Sequence, residues 1–426
     1  MMKPLAVELI VASLFALSAN AAEQPLTWEA CVQLTAKNNP SLAVASANVE
    51  VAASAISIER SVLFPQLSAN ASTMLSGPGD KTTRYGASLG VEQLLFSGGG
   101  KRAAVRSARA GLESQLAVLS GSRSDVTYAL RNAFINVLYA KQRVELLAEI
   151  EARRADNLEL VELRYEGGRE HKGSVASSQA SLFDAQVQGV QSARSVSVNR
   201  QILARRMGQA SLPVDTVVEG TLAQVSPPEE TDFETIAREA PAYLESQASL
   251  ARADAQLSVA RSGYWPEVSL VGAAGRYGDE NSFDEDYWST GVKLSFPIWS
   301  GGQTRHEVSK AKASLRAADA DEARVLDERV RLLVLAKQRF VDAVDNVEVQ
   351  AKYAEAAEIR AQISRQQYEG GLLSFENWIV IEDDLISKNE QLLNARRSAL
   401  TAEAAWWQVT GYEAFSQTNP RLGDKQ

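Results

Sequence analysis

Two stretches of the chain, Gly100–Glu166 and Gln303–Glu369, carry an apolar pattern with a step of 3.5 residues and contain no proline. From Leu112, alternating steps of four and three land on Leu116, Leu119, Arg123, Val126, Leu130, Ala133, Val137, Ala140, Val144 and Leu147, all aliphatic except Arg123. The series continues through Glu151, Arg154, Leu158, Val161 and Tyr165. The second stretch gives Leu326, Val330, Leu333, Lys337, Phe340, Val344, Val347, Ala351, Ala354, Glu358, Ala361, Arg365 and Tyr368. Such a step marks helices wound round partner helices. At ~1.5 Å per residue each stretch is a rod of roughly 100 Å, where an ordinary helix has about 11 residues.

Elsewhere the period changes to two. Leu67, Ala69, Ala71, Thr73 and Leu75 alternate with Gln66, Ser68, Asn70 and Ser72, and after Gly77-Pro78-Gly79 the residues Tyr85, Ala87, Leu89 and Val91 alternate on the way to Phe96. Later, Val268 and Leu270 alternate with Glu267 and Ser269. Beyond an acidic loop at 279–286, Trp288, Thr290, Val292, Leu294 and Phe296 face away from Ser289, Gly291, Lys293 and Ser295. These read as four strands, each with one apolar face and long enough to cross a tilted path through ~30 Å of hydrocarbon. Phe64, Phe96, Trp265 and Trp299 stand where helix meets strand, the place for an interfacial aromatic girdle. A soluble antiparallel sheet with edge aromatics is the competing reading.

The landmarks come in pairs. Pro40 and Pro241, Pro65 and Pro266, Gly98 and Gly301, and Tyr165 and Tyr368 lie 201, 201, 203 and 203 residues apart, an internal duplication. Each half opens with a short helix, 28–37 or 233–239, and a proline-led helix follows, 40–63 or 241–263. Asn39 is the expected N-cap of the first of these. Each rod ends at Tyr-Glu-Gly-Gly, and return helices at 174–208 and 374–411 come back; stacking each return helix end to end on a proline-led helix covers the full rod length. The domain reading is a signal peptide at 1–21, repeat 1 at 22–208 with a hairpin at 65–97, a connector at 209–231, repeat 2 at 232–411 with a hairpin at 266–299, and a tail at 412–426. A short strand at 215–218 is expected in the connector.

Composition narrows the address. Residues 1–22 carry one Lys, an apolar run and a small-residue cleavage site after Ala21 or Ala22. No later stretch has ~18 consecutive apolar residues, so no membrane-spanning helix is expected after the signal. The single cysteine, Cys31, excludes a disulfide framework and reads as a buried helix residue. A net charge of −9 gives no support to nucleic-acid binding. Four strands cannot close on themselves, and an open edge in lipid leaves backbone groups unpaired. The chain must therefore borrow strands from copies of itself; three copies supply twelve.

Leu63-Phe64-Pro65-Gln66-Leu67, Leu95-Phe96-Ser97-Gly98-Gly99, Phe296-Pro297-Ile298-Trp299-Ser300-Gly301-Gly302 and the two Tyr-X-X-Gly turns, repeated at fixed spacing over the mature chain, resemble the TolC-like family of outer membrane efflux proteins. The resemblance implies a mainly α fold with a β membrane part: a homotrimer whose twelve strands form a barrel in outer membrane lipid, continued by a long periplasmic α-helical barrel. It implies a passive exit duct of a tripartite efflux or type I secretion system, with a periplasmic adaptor and an inner membrane pump of RND or ABC type as partners. Gly167, Gly168, Gly370 and Gly371 match turns where the family's adaptors dock. The family's entrance is narrowed by acids and held shut through the second-repeat tyrosine, here Tyr368. The match is partial, because the acid positions hold Asn377 and Val380, and the arginine and aspartate positions hold Leu373 and Ser174. The described closing links do not carry over. Glu376, Glu382, Asp383 and Asp384 either favour cations at the mouth or are helix-start acids on a wet surface.

Catalytic chemistry is not legible. His171 and His306 have no companion ligands at metal spacing, Gly98-Gly99-Gly100 lacks the rest of a nucleotide fingerprint, and no cofactor is expected. A soluble periplasmic coiled-coil scaffold is the alternative function; a hydrolase using the acids near Glu382 is a weaker third.

Overall fold

The computed structural model describes residues 25–76, 82–213, 216–229, 231–279 and 285–415. The expected signal peptide, the Gly77-Pro78-Gly79 turn, most of the acidic loop and most of the C-terminal tail lie outside the described residues. Eight helices are named here in chain order: α1 Trp28–Asn38, α2 Pro40–Ser61, α3 Gly100–Glu166, α4 Lys172–Arg206, α5 Phe233–Glu239, α6 Pro241–Ser262, α7 Gln303–Glu369 and α8 Phe375–Thr410. The strands are β1 Gln66–Ser76, β2 Thr82–Phe96, β3 Glu267–Asp279 and β4 Glu285–Ser295. α3 and α7 are both unbroken over 67 residues, as their uninterrupted 3.5-residue pattern and lack of proline require.

By contacts the chain divides into two compact units, each drawing on both halves. One comprises Met1–Leu42, Arg123–Thr231 and Leu333–Gln426, the other Ala43–Ser122 and Asp232–Leu332.

The first unit is helical apart from the connector and a single bridge. Its core gathers Cys31 from α1, Leu130, Phe134 and Val137 from α3, Leu203 and Met207 from the end of α4, and Leu393 and Leu400 from α8. Cys31 is fully buried, and that burial pushes its thiol up to about 12, so it behaves as a small hydrophobe. The connector closes one side of this core. Val218 bridges Leu26 in parallel, where a strand at 215–218 was expected; Asp215 lies outside the described residues. At the joint between α4 and α2, Asn39 Oδ1 caps α2 by accepting from the N–H groups of Ser41 and Leu42 at 2.9 and 3.3 Å, and its Nδ2 donates to the Arg206 carbonyl at 2.9 Å. One side chain thus satisfies orphan groups of two helices. Gly208 makes the close approach possible. It has φ +75°, and a Cβ there would lie 2.2 Å from the Asn38 carbonyl oxygen. Gly208→Ala is expected to destabilise by more than the ~1–2 kcal/mol of left-handed strain, while Gly189→Ala, in open space inside α4, stabilises by about 0.5–1 kcal/mol. Opposite shifts in melting temperature check the pair.

The second unit holds the sheet, antiparallel throughout in the order β1-β2-β3-β4, with the bonds between β2 and β3 joining the two halves of the sequence. The β2–β3 register slips once, between Leu94 and Phe96. The apolar face of this sheet is largely uncovered among the described residues. Leu67 is 84% exposed, Val292 66% and Leu294 67%, and β4 is exposed along its whole length. The clean alternation of β4 therefore does not separate a protein core from water.

α2 departs from expectation. By length and composition it reaches the range of a membrane-crossing helix, with a hydropathy of 1.4 over an 18-residue window, though Ser, Asn and Glu break its apolar run. Its exposed Val44, Val51 and Ile58 recur every seventh residue, the spacing of a seam for a partner helix.

Candidate functional site: the paired helix turns

α3 and α7 stop for the same reason. Gly168 (φ +69°) and Gly371 (φ +75°) take the left-handed conformation that only glycine adopts freely. Arg169 N–H reaches back to the Arg164 carbonyl at 2.8 Å, and Leu372 N–H to that of Gln367 at 2.8 Å. Both ends are Schellman caps. New helices begin at once: His171 accepts from Ser174 N–H to cap α4, and its counterpart Ser374 accepts from Asn377 N–H to cap α8. Gly167, Gly168, Gly370 and Gly371 are all exposed.

The two tyrosines are not equivalent. Tyr165 is 44% exposed, whereas Tyr368 is fully buried, stacked on Trp378 with ring centroids 4.2 Å apart and flanked by Phe375. Trp378, Phe375 and Val161 complete a small apolar core. The Arg164 guanidinium lies 4.4 Å over the Tyr368 ring and donates to the Tyr368 carbonyl. The Tyr368 hydroxyl donates to Glu170 Oε2 at 3.0 Å, and the Ser174 hydroxyl donates to the other oxygen at 2.9 Å. Residues of repeat 1 thus hold the second-repeat tyrosine by its face, its backbone and its hydroxyl. Burial alone would raise the Glu170 carboxyl; the bonds from Ser174, the His171 N–H and Tyr368 outweigh it and hold the carboxyl below its ordinary value.

Further along the helices, Arg153, Arg154 and Asn157 of repeat 1 reach acids of repeat 2, and one more pair, Arg360 with Asp384, ties the two long helices of repeat 2. Arg153 lies 3.4 Å from Glu382 and 3.2 Å from Glu358, Asn157 donates to Glu382 at 3.1 Å, Arg154 pairs with Asp383, and Arg360 with Asp384 at 3.0 Å. Glu382 is 1% exposed. These contacts change what the acids can do. Glu382 is neither a wet helix-start acid nor an open charge, and Asp383 and Asp384 each have a cation of the same chain against them. Glu376 stays exposed, 3.6 Å from His171 Nε2, and its own backbone N–H, then Ser374 and His171, hold its carboxyl low. Asn377 and Val380 are exposed. Phe64, Phe96, Trp265 and Trp299 belong to the other unit and are exposed there, with Phe96 edge-on to Trp265 at 6.5 Å.

The family model described as outer membrane efflux protein matches residues 31–209 and again residues 234–412. The chain belongs to this family. As an outer membrane efflux protein it is a channel component of the outer membrane, extending into the periplasm, in a family of channels rather than enzymes. The efflux protein is similar to the cobalt-zinc-cadmium resistance protein CzcC of Cupriavidus metallidurans, 26% identical over 313 residues, 72% of this chain and 70% of that one. It is also similar to the probable efflux pump outer membrane protein TtgC of Pseudomonas putida, 24% identical over 421 residues, 91% and 84% of the two chains. The solved outer membrane protein VceC from Vibrio cholerae shares its fold, with a TM-score of 0.78 at 19% identity over 91% of this chain and 96% of that one. The efflux protein's mainly helical architecture with a small sheet is therefore the fold of that outer membrane protein.

Glu170, Arg164, Trp378, Arg153 and Asn157 were absent from the sequence-derived site. Arg153 and Arg154 were detectable as charges where leucine or valine recurs every seventh residue.

Proposed function

We propose that three copies of this chain assemble into a passive exit duct. Their sheets close a twelve-stranded barrel in outer membrane lipid, their helices continue it as a periplasmic tunnel, and the Tyr-Glu-Gly-Gly turns form its entrance. The observation that carries this reading is the sheet: among the described residues, four strands with apolar side chains in the open and two edges, β1 and β4, that pair with no further strand. In hydrocarbon each unpaired edge group costs several kcal/mol, so the edges need partners and the apolar faces need lipid. A soluble scaffold leaves both unexplained. Phe64, Phe96, Trp265 and Trp299 then ring the membrane boundary, and the α2 stripe of Val44, Val51 and Ile58 packs on a neighbouring copy.

Gly167, Gly168, Gly370 and Gly371 offer exposed backbone to a periplasmic adaptor, which links the duct to an inner membrane pump. Tyr368, Glu376, Asn377, Val380, Glu382 and Asp383 form the entrance region. Tyr368 and Glu382 act there from inside the wall, holding the two repeats together; Glu376, Asn377 and Val380 are the groups left accessible.

The test is strand pairing between copies. Cysteine at Asn70 on β1, combined in turn with cysteine at positions 289 to 293 of β4, is expected to give cross-linked dimers and trimers from outer membrane extracts. A water-soluble monomer in which β1 and β4 of one chain cross-link to each other would overturn the reading.

A further inference from the structure

α3 and α8 run antiparallel, with Gln408 donating to Asp125 at 2.8 Å, Tyr139 donating to Asn394 at 2.9 Å and, nearest the turns, Asn157 donating to Glu382 at 3.1 Å. Near the turns the apolar residues define the register of the pair poorly. On α8, Ile379, Ile386 and Leu393 are seven residues apart, so along this stripe a slide of one heptad exchanges one aliphatic residue for another; Trp378, Leu385 and Leu392 share the spacing, with a tryptophan in place of leucine at one end. On α3 the same stripes are interrupted once each, as Leu146-Arg153-Leu160 and Leu147-Arg154-Val161. Opposite the interruption stands Glu382.

This charged layer is a poor source of net stability. Among the described residues, Glu382 Oε1, Asn157 Oδ1 and Arg154 Nη1 have no hydrogen-bond partner, and imperfectly satisfied buried ion pairs are often matched or bettered by apolar residues of similar volume. A slide toward Leu146, Leu147 and Ile150, however, would leave the buried Glu382 carboxylate uncompensated, which is strongly disfavoured, and the opposite slide would set it against Leu160 and Val161 and draw Arg164 away from Tyr368. We infer that Arg153, Arg154, Asn157 and Glu382 are positioning residues that fix the sliding register of α3 against α8, and so deliver Arg164 and Glu170 to Tyr368. The inference concerns one chain and holds whatever the number of copies in the assembly.

The test uses the full chain with Cys31→Ala as background and Ile150→Cys paired with Ile386→Cys, the native neighbours, or with Ile379→Cys or Leu393→Cys, the neighbours after a one-heptad slide. Ile150 belongs to the cluster against which Ile386 packs. With Arg153, Arg154, Asn157 and Glu382 intact, only the native pair should oxidise. With all four replaced by leucine, the chain should still fold, and cross-linking at a slipped pair should rise from background to the level of the native pair. Glu382→Gln alone, which keeps an acceptor for Arg153 and Asn157, should retain the native pattern. An exclusively native pattern in the fourfold variant would assign the register to apolar packing and overturn the inference; failure of that variant to fold would make the layer a stability element and overturn it equally.

Discussion

Arg153→Ala is expected to destabilise the helix-turn unit by about 3–5 kcal/mol, the usual effect of removing one partner of a buried ion pair. The reason lies in what remains. Glu382, at 1% exposure, would keep only Asn157, and the carboxylate would stay inside without a cation. The reciprocal change is milder. Glu382→Ala leaves Arg153 partly exposed and still beside Glu358 at 3.2 Å, so on the order of 1–3 kcal/mol is expected. Arg154→Ala ranks last at about 1 kcal/mol, because Asp383 is more than half exposed and water replaces its partner. Hydrogen exchange along α8 in the detergent-extracted protein reads the three effects as local opening free energies. An order with Arg154→Ala first would mean that the weight of the layer lies at Asp383 and not at Glu382.

That ranking was not available from the sequence, whereas much of the fold was. The bounds of α3 and α7 were legible because a 3.5-residue step, a double glycine before the helix and a double glycine after it coincide twice. α1, α5 and the proline-led helices were placed to within a few residues, since Asn39-Pro40 and Ala240-Pro241 punctuate the chain. Strands β3 and β4 run further into the acidic loop than alternation alone indicated, because Arg276, Tyr277 and Asp279 keep pairing after the apolar residues end. The turn site was only half visible. Tyr368 and the glycines stand in a motif, but Glu170 and Arg164 owe their roles to the approach of two helix pairs about 200 residues apart in sequence. No local spacing encodes such a contact. Burial hides in the same way: Glu382, Asp383 and Asp384 are three consecutive acids on one helix, and only packing decides that the first points inward.

Tyr368→Ala is expected to open the proposed entrance and to raise single-channel conductance, at a cost of about 3–5 kcal/mol in turn stability. The substitution removes the ring that Trp378 stacks on and Arg164 covers, together with the hydroxyl that Glu170 accepts from. Tyr368→Phe separates these contributions. It keeps the stack and loses only the hydrogen bond, for about 1–3 kcal/mol, since Glu170 is left with one donor fewer in a nearly buried position. Acid should act on the same tie. A carboxyl whose folded pKa is depressed stabilises the folded arrangement above its unfolded value, ~4.3 for glutamate, and that contribution fades as pH falls through the lower folded value. Conductance of the parent channel should therefore stay low at neutral pH and rise only in strong acid. Glu170→Gln carries no titrating group there and should flatten that rise, with His171 and Glu376 as the remaining titratable pair nearby. If Tyr368→Ala loosens the turn by hydrogen exchange yet leaves conductance unchanged, the Tyr368 tie is a packing element of the helix pair and the constriction lies elsewhere in the duct.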